Sequence, residues 1–241
     1  MITHPARRGP AAALNTGVAA VRDRAFLLSL DSDTEAPVEA LVRLAQCLHA
    51  RPDYAGAAAR LVSPGGRTER SCLRLPRLST PLWTGTPFEG LRPGARELAR
   101  YMELGFDHEC DADVEQPPLS ALMLRRHALD ALGGFDERFE VDFADVDLAR
   151  RIADRGARLR FVAAAQVVHH GGASVRALEG HARTWQLDRL RYFRKHFGRF
   201  AGPLVKGCAA LAWVDGALHE PTSDRRRFGV KAREFAEFVL S

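Results

Sequence analysis

Three short polar motifs contain residue types that could bind a metal ion or move a proton. They are Asp31-Ser-Asp33, Asp145-Val-Asp147 and the adjacent histidines His169-His170. Two carboxylates close together suit a hard divalent cation, and a histidine can join them as a ligand or accept a proton. Each motif also has an ordinary structural interpretation, because aspartates cap helices and start their first turn, and histidines are common at surfaces. Taken singly, the motifs leave metal binding, proton transfer and a purely structural role all open.

Hydrophobic patterning places both acidic pairs at the boundary of a predicted element. The apolar run from Ala25 to Leu30 has strand length and delivers the first pair to its C-terminal end. A helix with apolar residues from Val38 to Leu48 follows, and Asp33 or Thr34 is its expected cap. The second pair opens a helix that ends at Gly156. Other predicted elements are strands over residues 54–62, 119–124, 158–162 and 166–168, and helices over 127–132, 175–197, 204–218 and 226–240.

The succession of a strand, an acidic loop and a helix is an α/β unit, so an α/β fold is predicted. Residues 76–118 differ from this pattern, because they are rich in proline and glycine and keep no steady hydrophobic period. We expect a long irregular excursion over the sheet there, and loops of such length usually carry function.

Composition excludes several classes of protein. The 241 residues are 46% hydrophobic and 27% charged, close to the globular average, so disorder and fibrous repeats are excluded. No run approaches the roughly 18 uncharged apolar residues of a membrane span, and residues 1–8 lack the apolar core of a signal peptide. The four cysteines are widely spaced, so neither a zinc knuckle nor a disulfide framework is expected. We expect a cytoplasmic protein with one large domain and a tail.

The net charge of +5 comes almost entirely from arginine, since lysine occurs only at Lys195, Lys206 and Lys231. Arginine suits phosphate and carboxylate groups, but the same bias also follows from a GC-rich genome. No recognised nucleic-acid-binding motif accompanies the charge. We therefore expect no nucleic-acid partner.

The order of the motifs is more specific than any one motif. The Asp-x-Asp strand end is followed by the Pro/Gly-rich excursion, a further strand, Gly133-Gly-Phe-Asp-Glu-Arg-Phe139, Asp145-Val-Asp-Leu148 and Val168-His-His-Gly-Gly-Ala-Ser174. Over roughly residues 9–175 this order resembles family 2 glycosyltransferases, especially their bacterial rhamnosyltransferase-like branch. Supporting stretches are Gly9 through Asn15-Thr-Gly17, Leu30-Asp-Ser-Asp-Thr-Glu35 and Arg70-Ser-Cys72.

The resemblance implies a GT-A nucleotide-diphospho-sugar transferase fold, with a mixed central sheet flanked by helices in residues 1–175. Residues 176–241 would then form a helical C-terminal extension packed on that domain. The implied reaction is an inverting transfer of a sugar from a nucleotide diphosphate, such as dTDP-rhamnose, to a glycan or lipid-linked acceptor in cell-surface polysaccharide synthesis. A divalent metal, Mg²⁺ or Mn²⁺, is implied as the cofactor that bridges the donor diphosphate.

The resemblance also implies a role for each residue of the site. By position, Asp33 and His169 are the metal ligands, and Asp31 and Ser120 contact the nucleotide sugar. Asp145 stands where the family keeps its general base. Inversion by a single displacement needs a base on the acceptor hydroxyl and neutralisation of charge on the leaving diphosphate, and it needs no covalent nucleophile.

The chain departs from the family pattern in three places. A strand, a helix and a second strand that bind the nucleotide base usually precede the segment that starts at Gly9, so an N-terminally truncated fold with weak donor binding is expected. Ala144 replaces an acid, and Leu119-Ser120 replaces a Gly-Ala pair. These departures favour an alternative, a degenerate non-catalytic relative that serves as an interaction module.

The predicted helix over residues 175–197 carries aromatic and arginine residues side by side, and two interpretations of it are open. In one, it flanks the acceptor and contacts the inner face of a membrane peripherally. In the other, the aromatic residues pack in the core and the arginines face water.

Overall fold

The structure is a computed structural model that describes residues 2, 4, 8–21, 23–171, 181–219 and 235–239. Helices cover both faces of one mixed sheet, which is the α/β class predicted. The helices are α1 (Pro10–Ala20), α2 (Val38–Ala50), α3 (Thr80–Trp83), α4 (Arg92–Tyr101), α5 (Arg126–Leu132), α6 (Ala144–Asp154), α7 (His181–Phe197) and α8 (Ala201–His219), and residues 235–239 are also helical. The strands are β1 (Phe26–Leu30), β2 (Thr34–Glu35), β3 (Tyr54–Val62), β4 (Ala112–Val114), β5 (Ala121–Arg125) and β6 (Arg158–His169).

The sheet joins its strands in the order β1-β5-β3-β6-β2, and β4 also pairs with β6. β3 and β6 are parallel, whereas the other pairs are antiparallel. β6 is long enough to pair with β4 near its start, through Leu159–Phe161, and with β2 at its end, through Val168–His169. The end of β6 therefore meets the chain just after β1.

Residues 158–169 form one strand, so the prediction of two short strands there is wrong. The register with β3 shifts between the pair Ala59–Val162 and the pair Arg60–Gln166. A bulge of this kind leaves extra residues on one strand unpaired and breaks the side-chain alternation. The broken alternation made one continuous strand look like two.

The two faces of the sheet bury separate apolar clusters, because successive side chains of a strand point to opposite faces. In β5, Ala121 and Met123 pack with α2, and Leu122 and Leu124 face the helices on the other side. The face of α2 that is buried carries Ala40, Leu44 and Leu48, at the spacing of four expected for a helix on a sheet.

The C-terminal helices contribute to the apolar cluster that contains Leu122 and Leu124. Leu190 and Phe193 of α7 and Val205 of α8 are buried with Phe139 and Leu148. The division of the chain at residue 175 stays a prediction, since residues 172–180 lie outside the described residues. Of the helix predicted over 226–240, residues 226–234 and 240 also lie outside them. None of the helices within the described ranges is long and apolar enough to cross a membrane.

Residues 76–118 contain α3, α4 and β4, so the expected irregular excursion is wrong in part. Both helices have a proline in their first turn. Proline is favoured there because its missing amide would have no partner in the helix. Two prolines of this stretch, Pro81 and Pro93, therefore start helices, although the frequency of proline suggests a loop.

The expected cap of α2 is also wrong. Its N-cap is Pro37, and Thr34 instead lies in β2 and pairs with His169 of β6. Helix α1, which sequence patterning missed, is anchored by Asn15, whose side chain accepts a hydrogen bond from the Phe135 amide at 2.8 Å.

Candidate active site

The antiparallel pairing of β2 with β6 brings Asp33 next to His169. Thr34 lies opposite His169 in this register, and the His170 amide donates a hydrogen bond to the Asp33 carbonyl at 2.8 Å. The Asp33 Oδ1 atom consequently lies 3.7 Å from His169 Nε2. The two residues predicted to share a metal ion are thus neighbours, and their role as ligands stays a prediction.

Asp31 completes a cluster of three candidate ligands. One ligand atom of each of Asp31, Asp33 and His169 lies within 4.8 Å of the others. Divalent cations take ligand atoms at about 2.0–2.6 Å, so two atoms bound to one ion are at most about 4–5 Å apart. Two carboxylates and one imidazole also suit Mg²⁺ or Mn²⁺ chemically. The residues present fit a divalent cation.

Ser120 holds one of these carboxylates. Its Oγ atom donates a hydrogen bond to Asp31 Oδ2 at 2.5 Å, and its carbonyl accepts one from the Asp31 amide at 3.2 Å. The contact arises because β1 pairs with β5, with Leu30 opposite Ala121. Asp31 therefore has a fixed orientation, and contact of either residue with a nucleotide sugar stays a prediction.

Sequence reasoning missed Glu69, whose Oε2 atom lies 2.8 Å from Nδ1 of His169. The turn after β3 folds the chain back, so that Val62 bridges to Thr68 and the Glu69 amide donates to the Leu61 carbonyl at 2.9 Å. A carboxylate on one ring nitrogen of histidine fixes the ring and leaves the other nitrogen to face a metal. The sequence signal that could have identified Glu69 is its position directly before the supporting stretch Arg70-Ser-Cys72.

Asp145 lies in the first turn of α6 and is partly buried. The Val146 amide donates to its Oδ1 atom at 2.8 Å, and Gln116, which sequence reasoning also missed, donates from Nε2 to its Oδ2 atom at 3.4 Å. Loss of surrounding water raises the pKa of Asp145, and these hydrogen bonds oppose the rise. A raised pKa brings a carboxylate nearer to the value that suits a general base at neutral pH.

The backbone that leads into α6 is held by α7. Asp188 is buried, and its carboxylate accepts hydrogen bonds from the amides of residues 140–142 at 3.0–3.2 Å. Phe143 follows with a φ of 64°, a left-handed conformation that is costly for a bulky residue and persists only when surrounding contacts impose it. Asp145, in the first turn of α6, therefore directly follows a constrained loop.

Asp147, the other acid of the pair, is fully buried in an ionic cluster. Its carboxylate contacts Arg151 Nε at 2.8 Å, Lys195 Nζ at 2.6 Å and His196 Nε2 at 2.8 Å. Burial alone would raise the pKa of Asp147, but the hydrogen bonds from His196 and Lys195 and the charge of Arg151 hold it below its usual value. Asp147 therefore joins α6 to α7, and its carboxylate is fully engaged by these three partners.

The aromatic residues of α7 pack inside the protein. Tyr192 and Phe193 are buried, and Arg191 and Lys195 form ion pairs with acidic residues. For Tyr192 and Phe193 the structure agrees with the second interpretation of this helix, in which the aromatic residues pack in the core. Arg189 fits neither interpretation, since it is a buried cation.

Comparison with known proteins now adds to this geometry. Residues 1–102 match the sequence profile described as Glycosyl transferase family 2. This stretch of the chain is therefore similar to glycosyltransferase family 2. The whole chain is 29% identical over 224 residues to the O-antigen biosynthesis protein RfbC of Myxococcus xanthus, a match that covers 91% of the chain and 16% of that protein.

Two further relatives come from Mycobacterium tuberculosis. The pre-mycofactocin glycosyltransferase is 28% identical over 219 residues, covering 89% of the chain and 41% of that protein. An N-acetylglucosaminyl-diphospho-decaprenol L-rhamnosyltransferase is 43% identical over 51 residues, covering 21% of the chain and 17% of that protein. A rhamnosyltransferase among the relatives supports the branch of family 2 that the motifs indicated. The matched stretches span 16%, 41% and 17% of the lengths of these three proteins, so the chain matches less than half of each.

Among solved structures, the crystal structure of GalNAc-T7 with UDP, GalNAc and Mn²⁺ resembles this chain with a TM-score of 0.50. The likeness covers 100% of the chain and 44% of GalNAc-T7, at 13% identity. Likeness at this identity concerns the fold alone, and it confirms the predicted GT-A fold.

Proposed function

We propose that this chain carries out an inverting transfer of a sugar from a nucleotide-diphosphate donor to a hydroxyl of a glycan or lipid-linked acceptor. The observation that carries the proposal is the cluster of Asp31, Asp33 and His169, with one ligand atom of each within 4.8 Å of the others. The names of the relatives, an O-antigen biosynthesis protein and a rhamnosyltransferase, support cell-surface polysaccharide synthesis as the setting and dTDP-rhamnose as the donor.

In this proposal Asp33 and His169 hold a divalent metal, Mg²⁺ or Mn²⁺, and Asp31, oriented by Ser120, faces the nucleotide sugar. The metal supplies charge neutralisation for the departing diphosphate. Glu69 keeps the His169 ring in place through its bond to Nδ1.

The reaction is then one displacement at the anomeric carbon of the donor sugar. The acceptor hydroxyl oxygen forms a bond to that carbon from the face opposite the diphosphate, and the carbon–oxygen bond to the diphosphate breaks with its electron pair. Asp145 accepts the hydroxyl proton as the new bond forms and later releases it to water. The raised pKa of Asp145 suits this step, since a carboxylate that is too acidic accepts protons poorly.

The test is metal-dependent turnover of the donor. The chain is incubated with dTDP-rhamnose and Mn²⁺, with and without a glycan-diphospholipid acceptor, and release of the nucleoside diphosphate is followed. We expect nucleotide release to stop when EDTA chelates the metal. Loss of an outer-shell partner of a metal ligand costs about 10–100-fold, and Asp33→Asn, which changes a ligand itself, should lower the release rate by more than that.

The matched control is Asp130→Asn, which removes an aspartate carboxylate that is half exposed and paired with Arg126. It should leave turnover unchanged. If no nucleotide sugar is turned over and Mn²⁺ does not bind, the chain is a non-catalytic relative and the proposal is wrong.

A further inference from the structure

A cavity of about 240 Å³ lies between α3, α4 and α7. Its wall includes Tyr101 of α4, Phe143 at the start of α6, and Trp185, Arg189 and Phe193 of α7. Pockets for drug-sized molecules occupy about 300–1,000 Å³. This cavity is smaller, so its volume suits one sugar ring, and its aromatic wall suits the apolar face of such a ring.

Arg189 is the cation of this cavity, and only 6% of it is exposed. Its Nη2 atom donates a hydrogen bond to the Pro81 carbonyl at 3.3 Å, and its guanidinium carbon lies 5.3 Å from the Trp185 ring centre. Loss of water lowers the pKa of Arg189, and the groups that oppose this effect are the thiol of Cys208 and the phenol of Tyr101. Within the described ranges, Arg189 forms no salt bridge with a carboxylate.

The other buried charged residues of the described ranges all have strong partners. Glu97 pairs with Arg100 at 2.7 Å, Asp147 contacts Arg151, Lys195 and His196, and Asp188 accepts amide hydrogen bonds and pairs with Arg191. A buried charge without such a partner is expensive. Arg189 therefore stands apart as a cation whose counter-charge the described residues do not supply.

Two observations connect the cavity with the proposed base. Phe143 of the cavity wall lies two residues before Asp145. Burial and the charge of Asp145 together raise the pKa of Tyr101 to about 12, and the charge of Arg189 opposes them. The Tyr101 hydroxyl is thus a neutral donor under the influence of both charges, and it has no hydrogen-bond partner among the described residues.

We propose that this cavity binds an acidic sugar of the acceptor, with Arg189 pairing to its carboxylate or phosphate oxyanion. The proposal rests on the proposed function, because it names the acceptor class of the same site. Guanidinium binds an oxyanion through two parallel hydrogen bonds, and Trp185 offers a face to the ring. The carboxylate in the cavity lining, Glu89, accepts a hydrogen bond from the Gly85 amide at 2.6 Å, and among the described residues it forms no salt bridge with Arg189.

The test is isothermal titration calorimetry of the whole chain with four small molecules, without donor or metal. Glucuronate and glucose 1-phosphate carry the ring with a carboxylate or a phosphate, glucose carries the ring alone, and inorganic phosphate carries the charge alone. We expect one acidic sugar to bind at least about tenfold more tightly than glucose and than phosphate. Equal binding of the acidic sugars and glucose would overturn the proposal, as would equal binding of inorganic phosphate.

Arg189→Met removes the charged guanidinium and keeps an unbranched side chain that reaches about as far as the arginine Nε. We expect the preference for the acidic sugar to disappear, and the thermal midpoint to stay equal or rise because an unpaired buried charge is gone. The control is Arg183→Gln on the same helix, a half-exposed arginine paired with Glu237, which should keep the preference. A preference that survives Arg189→Met would refute the proposal.

If Arg189→Met does not fold, Arg189→Lys tests the same contact, since it keeps the charge and loses the planar fork. It should bind the acidic sugar more weakly than the native chain, and unchanged binding would refute the proposal. Binding is measured without turnover, so the two proposals fail separately. Donor turnover without acidic-sugar binding refutes only the acceptor proposal. Acidic-sugar binding by a chain that neither turns over donor nor binds Mn²⁺ refutes the proposed function.

Discussion

Replacing Asp147 by asparagine tests how α6 is held against α7. The Asp147 side chain is 0% exposed and contacts Arg151, Lys195 and His196 at 2.6–2.8 Å. Asparagine keeps the size of the side chain but removes its charge. The three basic groups would then face a neutral amide, one end of which is itself a hydrogen-bond donor.

The expected loss of stability follows from this geometry. Removing one partner of a buried ion pair costs about 3–5 kcal/mol, because the charge that remains is buried without compensation. Lys195 keeps a second partner, Asp136, at 2.7 Å, which places the expected loss near the lower end, at about 3 kcal/mol. For a chain of this size each kcal/mol lowers the melting temperature by about 2–4 °C, so we expect a decrease of about 6–12 °C.

Thermal unfolding followed by far-ultraviolet circular dichroism at pH 7 measures the decrease. The control is Asp154→Asn on the same helix, where Asp154 also pairs with an arginine four residues away, at 2.8 Å, but is 50% exposed. Exposed helical pairs contribute only about 0.3–0.5 kcal/mol, or about 1–2 °C here. Similar decreases for the two variants would refute the argument that burial of Asp147 makes its ion pairs strong.

The pH dependence of stability, compared between the native chain and Asp147→Asn, gives a second test. In the folded chain the pKa of Asp147 is held below its usual value. The stability that its charge contributes is therefore fully present above the pKa of an unfolded aspartate, about 3.9, and is lost as the pH falls through the lower pKa of the folded chain. The difference in melting temperature between the native chain and Asp147→Asn should therefore persist from pH 7 down to about pH 4 and close below it.

Two further predictions concern the site. Asp145→Asn should lower the transfer rate by about 10²–10⁴ with donor affinity little changed, and an unchanged rate would remove Asp145 as the base. Because the pKa of Asp145 is raised, the transfer rate of the native chain should fall on acidification at a higher pH than it would with an ordinary carboxylate as the base. Glu69→Gln should weaken Mn²⁺ binding by about 10–100-fold in calorimetry, since the partner of His169 Nδ1 loses its negative charge. Glu35→Gln, which makes the same change beside His170, should leave Mn²⁺ binding unchanged, and equal effects of the two variants would contradict the positioning role of Glu69.

Local patterns in the sequence were enough to identify the elements that carry the motifs. The apolar run before Asp31 is strand β1, and the helical spacing after Val38 is α2. Gly133 ends α5 with a φ of 77°, as the Gly-Gly pair predicted. These signals succeed because helix period, strand length and chain reversal depend on residues close together in sequence. The order of the motifs also led to the family and the GT-A fold.

Pairing and burial between distant segments decided the rest. The acids of the Asp145-Val-Asp147 motif are alike in sequence, and only their packing separates them, since α7 saturates Asp147 and leaves Asp145 with two hydrogen bonds. Glu69 reaches His169 through the turn after β3, and Arg189 looks like any surface arginine until α3 and α4 cover it. The chemistry of a carboxylate or a guanidinium depends on the water and the charges around it, and residues far away in the chain supply both.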